Sequence, residues 1–106
     1  MKFAGTITEL ELDLEDYHHD IDQAVVTKNR IAMDWEEDGE KFHAVLTSTD
    51  GVNYEGNFGL TELDKKWKMD AAKYTAADKD VLLLLKWIQT DSGDEGSCIV
   101  ILEPSA

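Results

Sequence analysis

The Asp-Gly pair at 38–39, set in "RIAMDWEEDGEKFHAVL" (30–46), constrains this chain more than any other feature. A two-residue hairpin turn needs positive φ at both central positions, and Asp-Gly tolerates it. Centring the turn there makes Trp35 face Phe42, Met33 face Ala44 and Ile31 face Leu46. All three pairs are apolar and share one face. Asp34, His43 and Thr47 take the other face, as in an antiparallel sheet with one wet side.

The next turn falls in "STDGV" at 48–52. A loop of Asp50-Gly51 alone would set Leu46 against Glu55 and break the apolar face. The expected loop is therefore Thr49-Asp50-Gly51, with the glycine at its left-handed position. Leu46 then faces Tyr54, Ala44 faces Gly56 and Phe42 faces Phe58. The middle row of this meander, Met33, Ala44 and Gly56, forms a shallow trough. Because interiors pack densely, a side chain such as Trp67 or Trp87, or else a ligand, has to fill it.

The C-terminal part reads "VLLLLKWIQT", "DSGDEGS" and "CIVILEP". Its last run is short, β-branched and stopped by Pro104, which points to a strand. A helix starting at Thr75, with Asp78 completing a capping box, would carry the leucines of 81–85 around every side of its cylinder. A strand buried on both faces near its start, forming a long hairpin with Cys98 to Leu102, is preferred. Between these parts, Leu63, Trp67, Ala71 and Tyr74 follow helical spacing, whereas Trp67, Met69 and Ala71 alternate as in a strand. Lys65, Lys66, Lys68 and Lys73 would occupy the remaining faces of a helix, which favours a short one near 61–74.

At the N-terminus Phe3, Gly5 and Ile7 share one parity, and Leu10, Leu12 and Leu14 share the other. One strand buries both sets only with an extra residue, so a bulge or bend is expected near Thr8 or Glu9. The fold class is therefore mainly β: a small antiparallel meander of seven or eight strands, closing into a barrel or curled sheet, with one short helix near 61–74. At 106 residues the chain is expected to form a single domain over 1–106.

Charge excludes several functions. The net charge is −13, and residues 1–63 hold 15 acidic against 4 basic side chains, a net −11, whereas residues 64–106 hold 8 against 6, a net −2. Such a field repels nucleic acid and anionic lipid, so neither is an expected partner. A single cysteine, Cys98, allows no intramolecular disulfide and lies in an apolar run as a packed thiol. No N-terminal stretch has signal-peptide form, and "VLLLL" is too short to span a bilayer, so a soluble, cytoplasmic protein is expected.

Metal chemistry finds little support. His18 and His19 point to opposite faces of an extended chain and cannot share an ion. His18 with Asp20, or Glu15 with His19 and Asp22, lack the demanding spacing of two histidines at i and i+4, even if His43 came near. "DSGDEGS" does not follow the calcium-loop pattern and reads as a hairpin loop. Catalytic motifs are similarly lacking: no glycine-rich phosphate loop, no "GxSxG" and no "CxxC" occur, and Ser48, Ser92 and Ser97 all fall in expected turns. No metal, no cofactor and no catalytic residue is assigned, and the reading leans away from an enzyme.

Two binding functions remain. Trp35, Phe42, Tyr54 and Phe58 would share the interior face, lining a site for a small apolar or aromatic ligand in a non-enzymatic binding module. Alternatively, seven carboxylates lie between Glu9 and Asp22, and from Glu9 to Glu15 acids alternate with leucines, the leucines inward and the acids outward. Glu11, Asp13, Glu15, Asp16, Asp20 and Asp22 would then face a basic protein, as in an inhibitor or immunity-type module. That surface gains weight if the second acidic cluster, Asp34 to Glu40, lies beside it.

Overall fold

A computed structural model describes residues 2–9, 18–37, 39–60, 67–76 and 79–105. Eight antiparallel strands form a closed barrel in sequence order. They are β1 (Lys2–Glu9), β2 (His18–Val26), β3 (Arg30–Glu37), β4 (Glu40–Thr47), β5 (Asn53–Leu60), β6 (Trp67–Thr75), β7 (Val81–Gln89) and β8 (Glu95–Pro104). Closure comes from β1 pairing with β8 without interruption, from Phe3 opposite Pro104 to Glu9 opposite Cys98. Inward and outward positions alternate along each strand, which gives the period of two in the sequence its physical meaning. Ile21, Ile31, Met33, Leu46, Leu83, Leu85, Val100 and Leu102 fill the interior, and Cys98 is buried among them as expected.

The first hairpin has the expected register. Trp35 faces Phe42, Met33 faces Ala44 and Ile31 faces Leu46, with Gly39 at a φ of 81°. "VLLLL" is a strand and pairs with β8, Leu85 opposite Cys98 and Val81 opposite Leu102. Only its inward side chains are fully buried, however: Leu82 is half-buried and Leu84 is exposed. Ser48 and Ser92 lie in turns, but Ser97 lies within β8.

The second turn corrects the expected register by two residues. Leu46 faces Gly56, Ala44 faces Phe58 and Thr47 faces Glu55. The loop is longer because Asp50 makes it self-supporting. Its Oδ1 accepts the backbone N–H groups of Val52 and Asn53, both at 2.8 Å, and the Ser48 hydroxyl at 3.0 Å. The Ser48 hydroxyl in turn accepts the N–H of Gly51 at 2.9 Å. A three-residue loop would leave those donors to water. The shift is even, so the same residues point inward. The trough disappears nonetheless, because Phe58 takes the place expected for Gly56 in the row with Met33 and Ala44.

Two further expectations are corrected. No helix occupies 67–74: Trp67–Thr75 is β6, paired with β5 and β7, and residues 61–66 lie outside the described part. Alternation of Trp67, Met69 and Ala71 prevails because each completes a row of the barrel interior. Thr8 and Glu9 pair regularly with β8, and a bulge occurs instead in β2, where Ile21 faces Trp35 and Gln23 faces Asp34, leaving Asp22 as the extra residue. That residue moves the inward set from Ile21 to Ala24, so both are fully buried. Leu10, Leu12 and Leu14, and with them any bend beyond Glu9, lie outside the described residues.

Two glycines permit the curvature of closure. A Cβ built on Gly5 would collide with the Ile101 carbonyl, and one on Gly56 with the Val45 carbonyl and the Leu46 Cα. Backbone approaches backbone there more closely than a side chain allows. Gly56→Ala is expected to lower stability by at least about 2 kcal/mol, read as a chemical-denaturation midpoint, because neither strand can withdraw without breaking the ladder.

The Asp50 network makes a separate prediction. Acceptance of backbone N–H groups from Asn53 and then Val52 holds its carboxyl well below the ordinary carboxylate range. A carboxylate depressed on folding contributes stability that is present above its unfolded value of about 3.9 and is lost as pH falls through the folded one. Asp50→Ala should therefore melt at a lower temperature than the parent at neutral pH. The gap between the two should narrow as pH falls from about 5 to about 2, and a gap independent of pH would contradict this account.

Candidate functional site

Both strand ends and turns sort by barrel end. Trp35 lies near the end of β3, Phe42 near the start of β4, Phe58 near the end of β5 and Trp67 at the start of β6. These four rings therefore meet at one end of the barrel. Trp35 stacks on Phe42 with centroids 5.8 Å apart and planes 12° from parallel. Phe58 stacks on Trp67 at 5.1 Å and 18°. Tilted and edge contacts join the two stacks: Trp35 to Phe58 at 5.8 Å and Phe42 to Trp67 at 6.3 Å. Offset and edge geometries of this kind are the favourable ones for aromatic quadrupoles. Trp87 packs at the same end, half-buried against the core.

The cluster is graded from inside to outside. Trp35 is 2% exposed and Phe42 is buried, whereas Phe58 and Trp67 are half-buried. Trp35 also carries the unusual polar group of the core: its indole Nε1–H is buried and has no acceptor among the described residues. A buried indole N–H normally finds a partner, and one without a partner costs about 1–3 kcal/mol. Residues 10–17 and 61–66, which join strands at this end, lie outside the described residues.

Of the four residues expected to line a ligand site, three come together here and the fourth does not. Tyr54 lies four residues before Phe58 on β5, about 13 Å along the strand. At the opposite end its hydroxyl donates to the carbonyl of Lys28 at 2.7 Å and lies 3.2 Å from that of Thr27. The Lys73 ammonium sits 5.2 Å from the centre of its ring. Tyr54 thus ties the β2–β3 turn to β5 and closes that end. Trp67, expected either to fill the trough or to join this aromatic face, is a wall of the cluster. Its parity with Met69 and Ala71 was the available signal, and the four nearby lysines obscured it.

The acidic surface is placed in part. Asp20 and Asp22 are exposed on β2, while Glu11, Asp13, Glu15 and Asp16 lie outside the described residues. Only the described parts of the two acidic clusters can be placed relative to each other. With Ile21 opposite Trp35 and Gln23 opposite Asp34, the outward Asp20 and Asp22 neighbour Asp34 and Glu36 of β3. Two side chains of β4 stand against these acids: Lys41 faces Glu36, and the Nδ1 of His43 hydrogen-bonds with the Asp34 carboxylate at 2.6 Å. His19 faces Ile7 of β1. Among the described residues, no three His, Cys, Asp or Glu side chains group as a metal-ligand set.

A wide concavity of about 870 Å³ lies elsewhere, on the outer face over β5 to β8, with Glu55, Lys68, Asp70 and Lys86 among its lining residues. Its mixed charges and open shape give it no convergent polar group, so the aromatic end is the better candidate. Comparison with protein-family models, curated proteins and solved structures finds no significant match to this chain.

Proposed function

We propose that this protein is a non-enzymatic binding module that takes a small apolar or aromatic ligand at the aromatic end of its barrel. The Trp35 indole N–H carries this reading, being buried with no acceptor among the described residues. A ligand bearing one acceptor would relieve that cost, while Phe42, Phe58 and Trp67 supply the flat apolar contacts. The ligand would enter from the barrel end rather than lie in a central cavity, because aliphatic side chains fill the middle of the barrel. It would not be an anion, since a chain of net charge −13 repels anions.

The neutral ketone fluorophore 6-propionyl-2-(dimethylamino)naphthalene tests this. Its emission should shift to the blue and saturate at one molecule per chain, with tryptophan fluorescence quenched in parallel. Trp35→Phe keeps a ring but deletes the N–H, and should weaken binding by about 5- to 30-fold. The analogue with ethyl in place of propionyl lacks the acceptor and should bind both proteins alike. Absence of saturable binding up to about 100 µM, or an equal loss for both probes, would overturn the proposal.

The adjacency of Asp20 and Asp22 to Asp34 and Glu36 favours a second reading, an acidic face for a basic protein. Such a partner would be captured from lysate at about 50 mM salt and released at about 500 mM, where screening is short-ranged. Asp20→Lys with Asp22→Lys would abolish the capture. A salt-insensitive or empty capture would count against it.

A further inference from the structure

The outer face of β6 to β8 differs from the rest of the barrel surface. Elsewhere most outward positions carry charge or amide groups, such as Asp20, Asp34, Glu36, Glu55 and Asn57, and the apolar row of Val25, Ala32 and Val45 is half-buried. Here two adjacent cross-strand rows carry none. One runs from Ala72 through Leu84 and Ile99 to Thr8, and the next from Tyr74 through Leu82 and Ile101 to Thr6. Tyr74 is 70% exposed, Leu84 53% and Ile101 46%. Isolated apolar residues on a surface need no explanation, but contiguous ones point to an interface.

We infer that this face binds a second copy of the chain across a two-fold axis running along the boundary between the two rows. Charge decides the occupant. In a closed barrel of eight strands, β7 and β8 lie opposite β3 and β4, where the acidic side chains gather. The barrel is 28–37 Å across, so two copies meeting here hold their acidic faces more than about 50 Å apart, several Debye lengths of about 8–10 Å. Any other pairing of two chains of net charge −13 would bring the acidic faces closer. Residues 64–106, which supply β6 to β8 of this face, have a net charge of only −2, and β1 adds Thr6 and Thr8.

The two-fold operation also matches shapes and charges. Facing positions exchange the two rows, so Leu84 meets Leu82, Ile99 meets Ile101, and the small Ala72 receives Tyr74. The rows flanking them exchange as well, so Lys86 of each copy approaches the Asp80 and Glu103 end of the other. An interface in which residue i meets j and j meets i is what two-fold symmetry requires. Four strands by four rows span about 450 Å². That is below the roughly 800 Å² per partner of a standard stable complex, so association is weak and concentration-dependent rather than obligate.

Sedimentation equilibrium from about 10 µM to about 1 mM protein tests this. The mass should rise from 11.9 kDa toward twice that value. Leu84→Lys and Ile101→Lys, both at exposed positions, should keep the parent's cooperative melting and weaken association at least tenfold. Lys86→Glu, which leaves the apolar rows intact, should weaken it severalfold. A constant monomer mass, or association unchanged in these variants, overturns the inference. So does flotation with neutral phosphatidylcholine vesicles by the parent but not by Leu84→Lys with the mass fixed at the monomer, which would assign the face to lipid.

Discussion

Everything else in this structure depends on the pairing of β1 with β8. Seven consecutive residue pairs, Phe3 opposite Pro104 through Glu9 opposite Cys98, join the two terminal strands and leave the sheet without an edge. Edge strands expose unpaired backbone groups and invite pairing with other chains, and closure removes them. It also turns one face of the sheet into an interior of fixed circumference. Every inward residue must then fit between neighbours on both sides. That requirement explains why Gly5 and Gly56 sit where backbones cross closely, and why one extra residue at Asp22 is retained. A curled sheet with free edges would tolerate a side chain at either glycine by opening slightly. A closed one has nowhere to open.

Closure also accounts for how the chain carries its charge. A barrel has one inside and one outside, so Asp20, Asp22, Asp34, Glu36 and Glu55 stand at outward positions and interact through water, where repulsion is weak and screened. Asp50 is the informative exception. Its carboxylate is turned back onto the loop, where it accepts backbone N–H groups instead of facing solvent freely. One acid has thus become a structural acceptor that fixes loop length, while its neighbours remain outward charge.

The sequence made the inward-facing residues legible far better than the pairing between strands. Parity alone identified Ile31, Met33, Trp35, Phe42, Ala44, Leu46 and Tyr54 as inward, because side chains alternate whatever the neighbouring strand does. The first hairpin was also readable in full, since Asp-Gly leaves one turn geometry. The second was not, because its length depends on side-chain hydrogen bonds from Asp50 and Ser48 rather than on a dipeptide preference. "STDGVN" holds all the groups of that network, so the signal was present but had to be read as an acceptor arrangement. For 67–75, helical and strand spacing coincide over a short span, and only the need for a strand between β5 and β7 separates them. The aromatic site was partly legible for the same reason. Trp35, Phe42 and Phe58 converge through register, whereas Tyr54 shares their face but not their end of the barrel.

That separation of ends is what gives the aromatic cluster functional weight. At the Tyr54 end the buried ring's donor is used: the hydroxyl reaches the Lys28 carbonyl, and the β4–β5 loop donates Ser48 N–H to the Asn29 carbonyl. At the other end a ring of equal size keeps a buried N–H without an acceptor among the described residues. The fold therefore satisfies a buried aromatic donor at one end and leaves one open at the other, under the same closure and the same strand geometry. Replacing Trp35 by an apolar ring of similar shape would remove the cost at no loss to the ladder. An indole at that position is better explained by something that its N–H meets than by the packing of the barrel itself.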